Sequence, residues 1–194
     1  MCCGVGNLEV KHSNPRNIYM STLDQEDIDV MKATKTCVAA QRFQYDYLND
    51  DITDDGKIDY SLSNKLPAGL RAAIAAGKKI LVLINPPYAE VGTRGNTTIE
   101  LGTENKLGVA NTKFSDKAMK DFGKASNELF TQFVARIAQE IPTATLAMFS
   151  TLKYVNAPNF EKFRLTWNAK YLGGFVVHNQ AFEGLSGKFP IGFL

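Results

Sequence analysis

The chain has 194 residues, 44% of them hydrophobic and 22% charged, with a formal net charge of +2. That is enough chain for one domain with a real core, and the composition is ordinary for a globular protein. The near-neutral balance excludes a whole-surface field for nucleic acid, so any such surface must be a local basic patch.

In chain order, Asn17 to Leu23 reads as a strand ending at Asp24, which is placed to cap a helix over Gln25 to Lys35. Arg42 to Leu48 reads as a short strand that turns polar near its end. The alanine-rich stretch Leu66 to Ala76 predicts a helix stopped by Gly77. Lys79 to Ile84 is an apolar strand running into Asn85-Pro86-Pro87-Tyr88. Residues 89–113 are rich in Thr, Gly and Asn and read as a long polar loop, a kind that compact domains keep mainly for function. Asp116 to Ile141 predicts one long helix, because Ala118, Phe122, Ala125, Leu129, Phe133 and Ile137 recur at helical spacing. Ser115 is the expected cap, and Pro142 follows the end. Thr143 to Phe149 is a further strand, and Asn159 to Trp167 a second amphipathic helix. Gly174 to His178 and Pro190 to Leu194 read as an antiparallel pair. Strands alternating with helices predict an α/β sheet.

The cysteines Cys2, Cys3 and Cys37 give no disulfide framework, and with only His12 and His178 there is no zinc-ligand spacing. No apolar run reaches the length of a membrane span, and the amino terminus lacks the charge and apolar pattern of a signal peptide. The expected setting is the reducing cytoplasm. Two Gly-Lys pairs, Gly77-Lys78 and Gly187-Lys188, lack the rest of a phosphate loop. The stretch Asp51 to Gly56 hints at a calcium loop, but its twelfth position is Leu62, where an acid is needed. No metal is expected.

Three groups carry chemistry. Gly4 and Gly6, after Cys3, suit a tight loop whose backbone N–H groups approach a ligand, with a following helix adding its positive end. A simple turn has the same spacing. Asp24 and Asp46 lie at successive strand ends, where ligands bind in open α/β sheets. Asp24 suits ribose hydroxyls as well as a helix cap, and Asp46 also reads as a solvated loop acid. In Asn85-Pro86-Pro87-Tyr88, the side-chain oxygen of Asn85 and the Pro86 carbonyl are acceptors suited to the hydrogens of an exocyclic amine. The prolines stiffen the loop, and the Tyr88 ring suits stacking on a flat base. His178 reads as structural, and Phe175 and Phe182 as core or as the wall of a base pocket. Lys113, Lys117, Lys120 and Lys124 read as a solvated face or as phosphate contacts.

Taken in order, these groups resemble the S-adenosylmethionine-dependent adenine-N6 DNA methyltransferases of restriction–modification systems. The resemblance implies a Rossmann-like methyltransferase fold, with a mostly parallel sheet and an antiparallel closing strand. It implies S-adenosylmethionine as cofactor, with Cys3, Gly4 and Gly6 at its loop, Asp24 (or nearby Thr22) near the ribose and Asp46 near its adenine. Asn85, Pro86, Pro87 and Tyr88 would hold a target adenine flipped out of DNA. In this family a first strand precedes the glycine loop and a target-recognition region follows the core, so residues 1–194 read as one truncated catalytic domain with a gap in its sheet. The implied partners are DNA, a specificity subunit or the remainder of a larger polypeptide, and a second copy of the chain. The same four-residue motif also suits methylation of a protein glutamine, and a non-catalytic scaffold is the third alternative.

Overall fold

The computed structural model describes residues 3–11, 15–87, 111–182 and 188–194. They form a mixed α/β fold whose strands make two sheets. The smaller holds β1 (Tyr19–Thr22) and β2 (Gln41–Gln44) in parallel. The larger is ordered β3 (Leu81–Ile84), β4 (Thr145–Thr151), β6 (Pro190–Phe193), β5 (Phe175–His178). There β3 and β4 are parallel, and β6 runs antiparallel to both β4 and β5. Three of these four strands therefore point the same way, and β6 closes the sheet as expected.

The helices are α1 (Gln25–Ala33), α2 (Ala68–Ala75), α3 (Lys113–Ala118), α4 (Leu129–Glu140), α5 (Lys153–Asn156) and α6 (Glu161–Thr166). Gly77, at φ +60°, ends α2 as its sequence predicts. The long helix expected over Asp116 to Ile141 is instead α3, a 3-10 stretch over Lys120–Asn127, and α4. Gly123, at φ +61° and ψ −142°, breaks the helix. The apolar spacing persists across the break because both sides pack inward: Phe122 lies against the core and Ala125, Leu129 and Phe133 are within it. Thr112, not Ser115, caps α3; the two form a reciprocal capping box.

The two sheets share one core. Tyr19 and Phe43 of the small sheet pack against the cluster that holds Val82, Ile84 and Met148 of the large one, with Leu70, Phe133, Val134 and Phe163 from the helices. Gly69 lets α2 approach β1, since a Cβ there would lie 2.7 Å from Tyr19 Oη. On the other face of the small sheet, Met20, Ile28, Met31 and Ala40 form a separate cluster.

Among the described residues, β1 is paired with β2 and β3 with β4, and the two sheets are separate. Ile18 O and Thr22 O accept from Gln41 N and Tyr45 N on the β2 side, so Ser21 O points to the opposite edge of β1. There it accepts a 3.0 Å hydrogen bond from Cys3 N.

Candidate active site

Because β1 and β2 are parallel, Asp24 and Asp46 lie beyond the same end of the small sheet, each two residues past its strand. The Cys3–Ser21 bond places Cys3 beside that end of β1. Of the nine predicted site residues, Cys3, Asp24 and Asp46 thus lie toward the carboxyl ends of β1 and β2, whereas Gly6 faces Met20, Met31 and Thr36. Asn85, Pro86 and Pro87 follow the carboxyl end of β3 in the other sheet. Asn85 is half-buried, Pro86 buried and Pro87 exposed. Tyr88, and most of the polar loop over 89–113, lie outside the described residues.

The glycine loop is a run of turns over residues 4–10, closed by Gly6 N donating to Cys3 O at 2.8 Å. No α-helix follows it within the described residues up to 11, so the expected helix end is not there to favour an anion. The two glycines differ in surroundings. Gly4, at φ +49°, has no atom within 4 Å of where a Cβ would sit. Gly6, at φ +85°, faces inward, with Met20 Cε 2.7 Å and Thr36 Cγ2 2.9 Å from that position. Burial pushes the Cys3 thiol up to about 11, which keeps it protonated and unreactive.

Asp24 occupies the N-cap position of α1, but its side chain makes no capping hydrogen bond and is exposed. A carboxylate that the sequence pattern does not single out, Asp27 in the first turn of α1, accepts from Thr22 Oγ1 at 2.6 Å. Asp46 does local work. Its Oδ1 accepts from Leu48 N at 3.2 Å and its Oδ2 from Asn49 Nδ2 at 2.8 Å. This Asx-type turn cuts β2 short of the expected Leu48. Each oxygen keeps acceptor capacity for a second donor.

Two more bonds tie this turn to the segment re-entering after residue 110. Phe114 N donates to Leu48 O at 3.0 Å, and Lys113 N to Asn49 Oδ1 at 2.8 Å. Beside them, Asn111, Thr112, Lys113, Ser115, Ser126 and Asn127 border a polar cleft of about 420 Å³. None of the described site residues lines it.

Beneath the turn lies a polar cluster with no helical-period signal to announce it. Arg136 of α4 is fully buried. Glu140, one turn on, accepts from Tyr47 Oη at 2.5 Å and Tyr60 Oη at 2.7 Å. Tyr45 Oη donates to Asp51 Oδ2 at 2.8 Å, which spends the acid that begins the calcium-like stretch. Burial first, and then Glu140, holds the Tyr47 and Tyr60 phenols well above their usual range. No cluster of His, Cys, Asp and Glu suited to a metal occurs among the described residues.

The remaining side chains fall to structural roles. His178 is exposed, and its Nδ1 accepts from Gln180 N at 3.2 Å. Phe175 and Phe182 join Phe149 and Phe193 in an aromatic cluster on the large sheet. Lys113 and Lys117 pair with Asp54 and Asp116, while Lys120 and Lys124 are exposed. No helix among the described residues is long and apolar enough to cross a membrane.

Compared with known proteins, the chain matches no protein-family model, and no curated protein matches its sequence.

Proposed function

We propose that the chain is the catalytic core of an S-adenosylmethionine-dependent adenine-N6 DNA methyltransferase. The observation that carries this reading is the position of Asn85-Pro86-Pro87 directly after a core strand of a mostly parallel α/β fold, where such folds present ligand-binding residues. The placement of Asp24 and Asp46 past the paired ends of β1 and β2, with Cys3 bonded to Ser21 beside them, supports it further.

The residues present fit the cofactor. Gly4 leaves open space at the loop, and Asp24 and Asp46 offer carboxylate oxygens to hydroxyl and amine hydrogens. S-adenosylmethionine supplies an electrophilic methyl group when bound. The chain's own part is at the amine. An adenine amine is a weak nucleophile because its lone pair is delocalised into the ring. Asn85 Oδ1 and the Pro86 carbonyl, accepting its two hydrogens, favour the tetrahedral nitrogen that attacks. The buried Pro86 and its neighbour Pro87 restrict the backbone that carries these acceptors. The amine becomes acidic only as it is alkylated, so water suffices to take the proton and no strong base is required.

The test is transfer of a radiolabelled methyl group to unmethylated duplex DNA, with digestion to nucleosides. Label in N6-methyl-2′-deoxyadenosine, lost in Asn85→Ala, supports the reading. Label absent from DNA but present on a glutamine of an added protein substrate replaces it with protein methylation. Absence of both, together with no calorimetric binding of S-adenosylmethionine, leaves a non-catalytic scaffold.

A further inference from the structure

A guanidinium without solvent exposure is costly, and an apolar side chain of similar volume often serves stability as well or better. Arg136 is the largest of the fully buried side chains. Its charge calls for an explanation beyond filling space. One nitrogen donates to Tyr47 O and to Asp50 O, the latter at 2.9 Å, and another to Tyr45 Oη at 2.8 Å. Its face lies over the Tyr47 ring at 4.4 Å and the Tyr45 ring at 5.5 Å. Among the described residues its one polar partner outside the 45–50 segment is Glu140, 3.5 Å from Nε. The contacts fall on both sides of Asp46. Asp46 O in turn accepts from Asn49 N at 3.1 Å and Asp50 N at 2.8 Å, and Asp46 N donates to Asp50 Oδ2 at 2.8 Å. Arg136 therefore grips the backbone of the very turn whose geometry aims the Asp46 carboxylate. A planar fork with fixed donor directions does this, and a single ammonium does not.

We infer that Arg136 is a positioning residue for ligand selection: through Tyr45, Tyr47 and Asp50 it fixes Asp46 so that the turn selects a 6-aminopurine over a 6-oxopurine. The inference rests on the cofactor reading above and adds a residue far from the ligand to it. A 6-oxo group replaces a donor with an acceptor and faces the carboxylate unfavourably. The discrimination then measures how well Asp46 is held, which overall stability does not.

The experiment is calorimetric titration of the full chain with S-adenosylhomocysteine and with its 6-oxo counterpart, S-inosylhomocysteine. The unsubstituted chain is expected to prefer the amino compound by about tenfold or more, as sites that hydrogen-bond a ligand donor do. Arg136→Lys, folded by near-ultraviolet circular dichroism, is expected to lower that ratio to about threefold or less. Its affinity for the 6-oxo compound should stay within about threefold, since the glycine loop and Asp24 are untouched. Tyr45→Phe removes only one of Arg136's partners and should lower the ratio partway. It decides the matter if Arg136→Lys does not fold. An undiminished ratio in a folded variant overturns the inference and leaves the cofactor reading standing. Binding of both compounds by the unsubstituted chain without preference also overturns the inference and leaves the cofactor reading standing, whereas failure to bind either overturns both.

Discussion

Gly4 and Gly6 belong to one loop and both have positive φ, yet alanine should affect them very differently. At Gly6 the added methyl meets Met20 Cε at 2.7 Å and Thr36 Cγ2 at 2.9 Å. Met20 is itself buried and has little room to yield. Overpacking of this kind costs about 1–3 kcal/mol. The left-handed backbone adds about 1 kcal/mol, and the stiffer unfolded chain returns about 0.5 kcal/mol. Gly6→Ala should therefore lose about 1.5–3.5 kcal/mol. At Gly4 the packing cost vanishes, because nothing lies within 4 Å, and the two backbone effects nearly cancel. Gly4→Ala should stay within about 0.5 kcal/mol of the unsubstituted chain. Urea unfolding followed by circular dichroism measures both through the midpoint and slope. Under the proposed function the ranking reverses for ligand: Gly4→Ala weakens S-adenosylmethionine binding more than Gly6→Ala does, once both are folded. Equal stability losses, or a larger loss at Gly4, would refute the packing assignment of the loop.

Asn85→Ala should lower the methyl-transfer rate by about 100-fold or more, the usual effect of deleting a group aimed at developing charge, while cofactor affinity stays within about threefold; single-turnover kinetics with calorimetry separates the two. Burial raises the Glu128 carboxyl from 4.5 to about 7, against the pull of Lys153 Nζ at 2.8 Å. The folded state thus holds a proton that the unfolded state releases, so this contribution is complete below pH 4.5 and is lost as pH rises to about 7. It amounts to at most about 3 kcal/mol, and Glu128→Gln should flatten the urea midpoint over that window; an unchanged slope with pH would count against it. Leu81 and Leu83 present their amides to the edge of β3 opposite β4, so hydrogen exchange there should run about tenfold faster than at Val82 and Ile84. Equal protection at all four amides would mean that both edges of β3 are paired.

Much of the scaffold was legible from residue order. Leu81 to Ile84 is a pure apolar run bounded by Lys-Lys and by Asn-Pro-Pro, and it forms the strand that those boundaries require. Gly77 and Pro142 mark helix ends because glycine readily takes the left-handed φ that closes a helix and proline lacks the N–H to extend one. The errors have physical causes. The stripe from Ala118 to Ile137 follows the core, which a broken helix can track as well as a continuous one, so spacing alone conceals the turn at Gly123. β2 stops early because Asp46 bonds its own turn, a local competition that a β-rich pattern around it hides. Arg136 carries no signal in the sequence, because single-residue polarity holds no record of the tyrosines and carbonyls that receive it. Of the candidate site, Asn85, Asp24 and Asp46 stand out by residue type and strand context. Asp27 and Arg136 do not, since the groups they bond are set by the fold and belong to no motif.

The anchoring on either side of residues 88–110 has an evolutionary consequence. On one side Pro86 is buried after β3; on the other, the Thr112–Ser115 box and the bonds from Lys113 and Phe114 fasten the chain to Leu48 and Asn49. Each of these attachments is made by residues on either side of that stretch. A substitution within 88–110 therefore leaves their donors and acceptors in place. Selection can rewrite the stretch without rewriting the residues that make these anchors.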